Sequence, residues 1–281
     1  MIYAFHMPVF VFLPGYFTSM AADAQRRMQW LKKTLIIYAV AQLTLYVLRI
    51  SLDYLVGCLE NNSVDVKILS WDIVVLPELA LWYLVCLVYW RLAVWAVFSK
   101  TNDLVLLAVS VVLALFSGFI PVDEHIAFQR AFAFFPFFVL GAVFRKRNLI
   151  MQLERLPMAV AAVLLLLGLF AARLLPTYLP ILHYANWHQL VWRALQTGLG
   201  MFLCLLIVRL SRCGFTRLFA EYGKRTLWIY IGHIYFIILG WKLFPYFGIT
   251  LNVLTAVLLA MIYCAFLVFL SRIATRQNAH R

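Results

Sequence analysis

The chain has 281 residues, of which 65% are hydrophobic and only 12% are charged, and its formal net charge is +13. A soluble core of this length cannot bury so much apolar surface, so the composition excludes a water-soluble globular domain and predicts a protein that crosses a membrane several times. The positive charge does not indicate nucleic-acid binding, because no soluble domain is present to carry a basic face.

Residues 1–20 form an apolar run with one side chain that titrates near neutral pH, His6, and with two prolines, Pro8 and Pro14, that are expected to bend a helix. A secretory signal would place its basic residues before the apolar run, whereas here Arg26 and Arg27 follow it. We therefore predict a membrane span that is retained in the mature protein.

Apolar stretches separated by turn residues or charges predict nine transmembrane helices. The fold class is all-α, a polytopic transmembrane helix bundle that forms one domain over residues 1–281. The fifth span is short and rich in Phe and Pro, and it is expected to tilt or to end in a broken helix. The nine spans run approximately over residues 3–20, 34–56, 73–92, 104–120, 130–144, 156–175, 189–208, 226–243 and 250–270.

The distribution of basic residues predicts the orientation of these spans, because loops rich in Lys and Arg stay in the cytoplasm. The acidic residues Glu60, Asp65, Asp72, Asp123 and Glu124 fall on the opposite side. The amino terminus is thus predicted outside and the carboxyl terminus in the cytoplasm. The basic residues on the predicted cytoplasmic side are Arg26, Arg27, Lys32, Lys33, Arg91, Lys100, Arg145, Lys146, Arg147, Arg155, Arg209, Arg212, Arg217, Lys224, Arg225, Arg272, Arg276 and Arg281.

Ionisable side chains at membrane depth are costly, and they are candidates for function by default. Arg49 and Asp53 share a helix face in the second span, where they either bind substrate or neutralise each other. Two hypotheses remain for the wider set: its members line one outward-facing cavity, or they occupy separate helix ends. The other members are His6, Glu78 near the outer end of the third span, Arg130 at the start of the fifth and Arg193 in the seventh.

Two histidines are candidates for proton transfer. The unperturbed pKa of histidine, about 6.5, suits a group that takes a proton from a hydroxyl at neutral pH, so His6 is a candidate base, with a purely structural role as the alternative. His233 follows Tyr230 by three residues and shares its helix face, and the alternative for it is a polar contact between spans.

An external loop over residues 176–189 is rich in aromatic and histidine residues. Its side chains would suit stacking on sugar rings, but tryptophan and tyrosine are also ordinary anchors at the membrane interface. A zinc site at His183 and His188 is rejected because no third ligand lies nearby, and no metal is predicted. The remaining aromatic members are Tyr178, Tyr184 and Trp187.

Four motifs in order resemble those of the acyltransferase-3 membrane proteins, and in particular the branch of fucose 4-O-acetylase. The first is Phe5-His6-Met7-Pro8 with Gly15-Tyr16, and the second is Leu81-Trp82-Tyr83-Leu84. The third runs from Phe134 through Pro136 to Gly141. The fourth combines Gly223-Lys224-Arg225-Thr226-Leu227 with Ile229-Tyr230-Ile231-Gly232-His233.

The resemblance implies an integral-membrane O-acyltransferase of the cytoplasmic membrane. It would move an acetyl or similar short acyl group from acyl-CoA, a donor substrate and not a resident cofactor, to a hydroxyl of a cell-envelope or lipid-linked sugar. His6, Glu78, Arg130 and His233 are then the catalytic candidates, and Arg49, Asp53, Trp82 and Arg193 the substrate-binding ones. The alternative is a non-catalytic membrane protein that exports or binds a glycan.

The donor's phosphates are expected at Arg26, Arg27 and Lys33, and the alternative is that these residues are ordinary cytoplasmic loop charges. Of the Arg-x-x-Arg motif that the family carries here, Lys33 matches, while Trp30 stands where the first arginine would be. The family also has, before the Phe-His-Met-Pro span, a helix with a histidine regarded as the general base. We expect either that such a helix lies upstream of Met1 or that the chain is an inactive, truncated acyltransferase.

Overall fold

A computed structural model describes residues 3–19, 23–59, 76–98, 101–120, 127–175, 184–211, 226–248 and 259–269, together with residues 223, 252 and 255. Over these residues the secondary structure is helical and contains no strand. This confirms the predicted all-α fold for the described part of the chain.

The helices follow one another with short 3-10 turns at Leu79–Leu81 and Ser117–Phe119. They are α1 (Tyr3–Phe17), α2 (Ala24–Leu59), α3 (Trp82–Val97), α4 (Asp103–Phe116), α5 (Phe128–Lys146), α6 (Ile150–Leu153), α7 (Met158–Leu174), α8 (Trp187–Leu210), α9 (Thr226–Tyr246) and α10 (Leu259–Phe269).

Among the described residues, five helical segments are long and apolar enough to cross a membrane, and four shorter apolar helices accompany them. The long ones contain α2, α3, α5, α8 and α9, and the shorter ones correspond to α1, α4, α7 and α10. Each overlaps one predicted span, which supports a membrane protein. The count of nine crossings and the orientation of the termini stay predictions, because the shorter helices do not reach the length that a bilayer requires.

Two predicted elements differ from the structure. The second span was expected to begin at residue 34, but α2 begins at Ala24 and continues for 36 residues, about 54 Å at the rise of an α-helix. The reason is that Gln, Arg, Met and Lys are good helix formers, so the helix extends beyond the apolar stretch. In the fifth span, α5 runs unbroken past Pro136 to Lys146, so the expected alternative of a broken end is not observed among residues 127–147, and the other alternative, a tilt, stays a prediction.

The chain forms two compact units. The first unit comprises Met1–Leu35 and Trp82–Cys213, and the second unit comprises Ile36–Leu81 and Gly214–Arg281. The assignment of all 281 residues to one acyltransferase domain stays a prediction.

The first unit is built around α5, whose side chains Phe134, Phe137 and Phe138 are almost completely buried. Helix α1 packs directly on α5. A Cβ atom at Gly141 would overlap the carbonyl oxygen of Phe12, and one at Gly15 would overlap the carbonyl oxygen of Phe138. These motif glycines therefore allow two membrane helices to touch backbone to backbone.

An ion pair joins the first turn of α4 to the end of α5. Arg147 donates two hydrogen bonds to the Asp103 carboxylate, with its Nε 2.6 Å from Oδ2 and its Nη2 3.0 Å from Oδ1. The carboxylate lies just outside the predicted span 104–120. The hydrogen bonds from Arg147 lower the pKa of the Asp103 carboxyl to about 2.

This ion pair predicts an acid-sensitive contribution to stability. Because the folded pKa of about 2 lies below the unfolded value, the contribution is complete above about pH 4 and is lost as the pH falls toward 2. We expect the melting temperatures of the detergent-solubilised wild type and Asp103→Asn to differ at pH 6 and to approach each other as the pH falls toward 2. Asp23→Asn, which removes a highly exposed pair with Arg26, is the control and should match the wild type throughout. A gap between wild type and Asp103→Asn that does not change with pH would contradict this account.

Candidate functional site

In the second unit, the structure brings together two of the predicted polar residues, Arg49 and Glu78. The Arg49 Nη1 lies 2.9 Å from the Glu78 Oε1, and the Glu78 side chain is only 13% exposed. The guanidinium group also lies 5.6 Å from the ring centroid of Tyr46, one turn earlier on α2. A carboxylate so shielded from water is stabilised by its paired cation.

Asp53 forms an ion pair with Lys242 of α9. The hypothesis that Asp53 and Arg49 neutralise each other is therefore wrong, since Arg49 is paired with Glu78. The physical reason is that tertiary packing brings each side chain a partner from another segment, and these contacts replace the expected pair along α2. Lys242 was not identified as a site residue from the sequence.

His233 lies on α9 beside Tyr230, with their ring centroids 5.7 Å apart. The Tyr230 hydroxyl donates a hydrogen bond to the carbonyl oxygen of Ala80, two residues after Glu78. The shared helix face of Tyr230 and His233 is thus confirmed, and it contacts the segment that carries Glu78. The catalytic role of His233 stays a prediction.

In the first unit, Arg130 and Trp82 meet. The Arg130 guanidinium lies 5.4 Å from the Trp82 ring centroid, a cation–π geometry. Trp82 in turn stacks on Phe134 of α5 with the ring centroids 5.6 Å apart. His6, also in the first unit, is exposed on α1 and has its ring edge against Phe10 at 4.8 Å. A single cavity lined by His6, Arg130 and Glu78 stays a prediction.

Arg193, predicted to bind substrate, is buried to 3% exposure. Its Nη1 donates to the Ser117 hydroxyl at 3.0 Å and to the Ala114 carbonyl oxygen at 3.3 Å. The guanidinium also covers the ring of Tyr184, whose hydroxyl donates to the carbonyl oxygen of Leu115 at 2.8 Å. These contacts clamp the end of α4, and a role in substrate binding stays a prediction.

The predicted donor-binding residues lie near the start of α2. Arg27 lies over the ring of Trp95 on α3, and the Trp95 ring meets the edge of Trp30 at 5.7 Å. Arg91, treated in the sequence as an ordinary loop charge, lies 4.0 Å from the centroid of Trp30. An adjoining cavity of about 310 Å³ is lined by Ala24, Arg27, Met28, Leu31, Leu92, Trp95 and Ala96.

The other two donor candidates are placed differently. Arg26 pairs weakly with Asp23, at 3.8 Å, and Lys33 is exposed on α2. Of the three predicted residues, Arg27 is therefore the one that borders the cavity.

Among the buried polar residues that sequence reasoning did not single out is Gln42, which contacts the segment that carries Glu78. It lies seven residues before Arg49 on α2, hence on the same helix face, and this spacing was the available signal. Within the described residues, no three His, Cys, Asp or Glu side chains form a metal-binding group. Tyr178 and His183 of the aromatic loop lie outside the described residues.

Comparisons with known proteins give one match. A family model described as an acyltransferase domain matches residues 1–275, which include every candidate residue above. No curated protein and no solved structure matches the chain.

Proposed function

The chain belongs to the acyltransferase-3 family, and from this premise we propose that it acylates a hydroxyl group of a cell-envelope sugar with an acetyl or similar short group taken from acyl-CoA. As a member of the family it is an enzyme, an acyltransferase for groups other than amino-acyl groups. Its apolar helices support a multi-pass membrane protein, and we propose the cytoplasmic membrane as its location.

The observation that carries the proposal is the ion pair between Arg49 and the shielded carboxylate of Glu78. Acyl transfer to a hydroxyl needs a base to accept its proton and a cation or hydrogen-bond donor near the oxygen that develops negative charge. We propose that the Glu78 carboxylate takes up the hydroxyl proton, either directly or through the histidine that the family carries before the Phe-His-Met-Pro span, and that Arg49 binds the sugar. His6, Arg130 and His233 remain further catalytic candidates, and Asp53, Trp82 and Arg193 further substrate-binding ones.

The proposed reaction needs only these groups and two substrates, acyl-CoA and the acceptor sugar. The acceptor oxygen attacks the thioester carbonyl carbon, and its proton passes to the base. The carbon–sulfur bond then breaks, the acyl group stays on the sugar oxygen, and the thiolate takes up a proton to leave as free CoA. Under this scheme one thiol is released for each ester formed.

The direct test uses purified protein in liposomes, isotope-labelled acetyl-CoA and envelope polysaccharide. We expect labelled ester on the polysaccharide together with an equal amount of free CoA thiol. If the protein transports or binds the polysaccharide but no CoA thiol is released, it is a glycan exporter or binder, and the proposed function is wrong.

Donor binding makes a separate prediction at Arg27. Because its cation borders the cavity, loss of a charge-assisted contact to a phosphate should raise the KM for acyl-CoA about tenfold or more in Arg27→Ala, with a smaller change in kcat. Arg155→Ala, which removes an exposed basic residue just after the short helix α6, is the control and should leave the KM unchanged. Equal KM values for Arg27→Ala and the wild type would exclude the cavity as the donor site.

A further inference from the structure

The backbone on both sides of Pro77 is held by one side chain, the carboxamide of Gln42. Gln42 lies on α2 and is 5% exposed. Its Nε2 donates to the carbonyl oxygen of Leu76 at 2.8 Å, and its Oε1 accepts from the backbone N–H of Glu78 at 2.9 Å. Pro77 has no N–H of its own, so these two bonds are the means by which Gln42 fixes the backbone that leads into Glu78.

The backbone of the residue that follows Glu78 is strained. Leu79 has a φ of 43°, in the left-handed region, which costs about 1–2 kcal/mol for a residue with a side chain. Such a conformation persists when its surroundings impose it. Gln42 holds the backbone before Leu79, and Tyr230 holds the carbonyl oxygen of Ala80 after it. The Leu81 N–H also donates to the Glu78 carbonyl oxygen at 2.9 Å.

Two side chains of helix α2 therefore bind Glu78. Gln42 binds its backbone, and Arg49, two turns further along the same face, binds its carboxylate. Strain maintained by surrounding contacts is concentrated at functional sites, where it keeps a reacting group in place. Here it lies immediately beside the carboxylate that we assign to proton transfer.

We propose that Gln42 is a positioning residue for acyl transfer, which sets the place of the Glu78 carboxylate by clamping the strained segment 76–81. The inference rests on the proposed function, in which Glu78 accepts the proton. In these two bonds Gln42 binds backbone atoms of the segment, and the role proposed for it is therefore exerted through Glu78.

The first test is kinetic. Gln42→Ala should lower kcat by about 10- to 100-fold, because a displacement of the reacting group by about 1 Å has an effect of that size, while the KM for acyl-CoA stays near the wild-type value. Gln129→Ala is the matched control. Gln129 is another buried glutamine, 4% exposed, whose amide donates to the Ile120 carbonyl oxygen at 2.8 Å in the first unit. Its removal should change stability but not kcat per folded molecule.

The second variant, Gln42→Glu, keeps the shape of the side chain and makes the clamp depend on pH. When protonated, the introduced carboxyl can donate to Leu76 and accept from Glu78, as the amide does. When ionised it cannot donate, and its negative charge faces the carbonyl oxygen of Leu76. Its kcat relative to the wild type should therefore rise as the pH is lowered. A ratio that falls as the pH is lowered would contradict the clamp.

A measurement that does not depend on acyl transfer tests the role of Gln42 independently of the proposed function. Dicyclohexylcarbodiimide modifies carboxyl groups in apolar surroundings, and mass spectrometry measures its addition to Glu78, with Glu78→Gln as the blank. We expect Gln42→Ala to change the modification rate at least threefold and Gln129→Ala to leave it unchanged. If the wild type transfers no acyl group, the proposed function fails while this rate still tests the clamp. An unchanged rate in folded Gln42→Ala, or an unchanged kcat in an active enzyme, overturns the inference.

Discussion

Replacing Glu78 with glutamine should reduce the rate of acyl transfer at least about a hundredfold while leaving the protein folded and inserted. The amide has the size of the carboxylate, and its oxygen can still accept a hydrogen bond from Arg49, so the local packing is retained. What the amide cannot do is accept the proton of the acceptor hydroxyl. The measurement is the initial rate of CoA thiol release in liposomes at matched protein amounts.

The control for Glu78→Gln is Asp103→Asn. It also neutralises a shielded carboxylate that is paired with an arginine, but this pair joins α4 to the end of α5. Its rate per folded molecule should remain within a few-fold of the wild type. We expect His6→Ala and Arg130→Ala to abolish acyl transfer as well. Normal product from all three candidate variants would mean that these residues occupy ordinary helix ends.

The second large effect is expected at Gly141. One added methyl group in Gly141→Ala would overlap the backbone of α1 at Phe12 and Tyr16, and backbone atoms cannot move aside as a flexible side chain can. We expect a loss of about 3 kcal/mol or more in the free energy of unfolding. The measurement is the melting temperature and the monodisperse fraction after detergent extraction.

Gly198→Ala is the matched control for this variant. Gly198 is also helical, but a Cβ atom there meets no other atom within 4 Å. The same methyl group should therefore be neutral, or stabilise the helix by up to about 1 kcal/mol. Equal melting temperatures for the two variants would show that α1 and α5 do not approach as closely as the structure has them.

The positions of the candidate residues on helices were predictable from local sequence. Apolar stretches identified the helices that carry Arg49 and His233, and three-residue spacing placed His233 beside Tyr230. The motif glycines Gly15 and Gly141 could be recognised in the sequence, but their structural role could not be predicted from it. Their role appears only when α1 lies against α5 and the two backbones touch.

Contacts between residues on different helices were not predictable, because the spacing of residues along one helix restricts only their neighbours on that same helix. The alternative in which Arg49 pairs with Asp53 obeyed the helical repeat, yet Asp53 is paired with Lys242, far away in the sequence. The contact between Arg91 and Trp30 depends on how α2 and α3 pack, so the sequence alone could not predict it. Arg91 was therefore treated as one of the loop charges.

By itself, the amino-acid sequence determined that this protein is helical and suited to a membrane, since both properties follow from the composition and length of continuous segments. It also determined which few polar side chains lie in otherwise apolar helices. The tertiary structure alone decided that Glu78 is paired with Arg49 and that Gln42 clamps the backbone beside it. The physical reason is that a shielded charge or an amide group takes the partner that packing brings within hydrogen-bond distance, and packing depends on the whole chain.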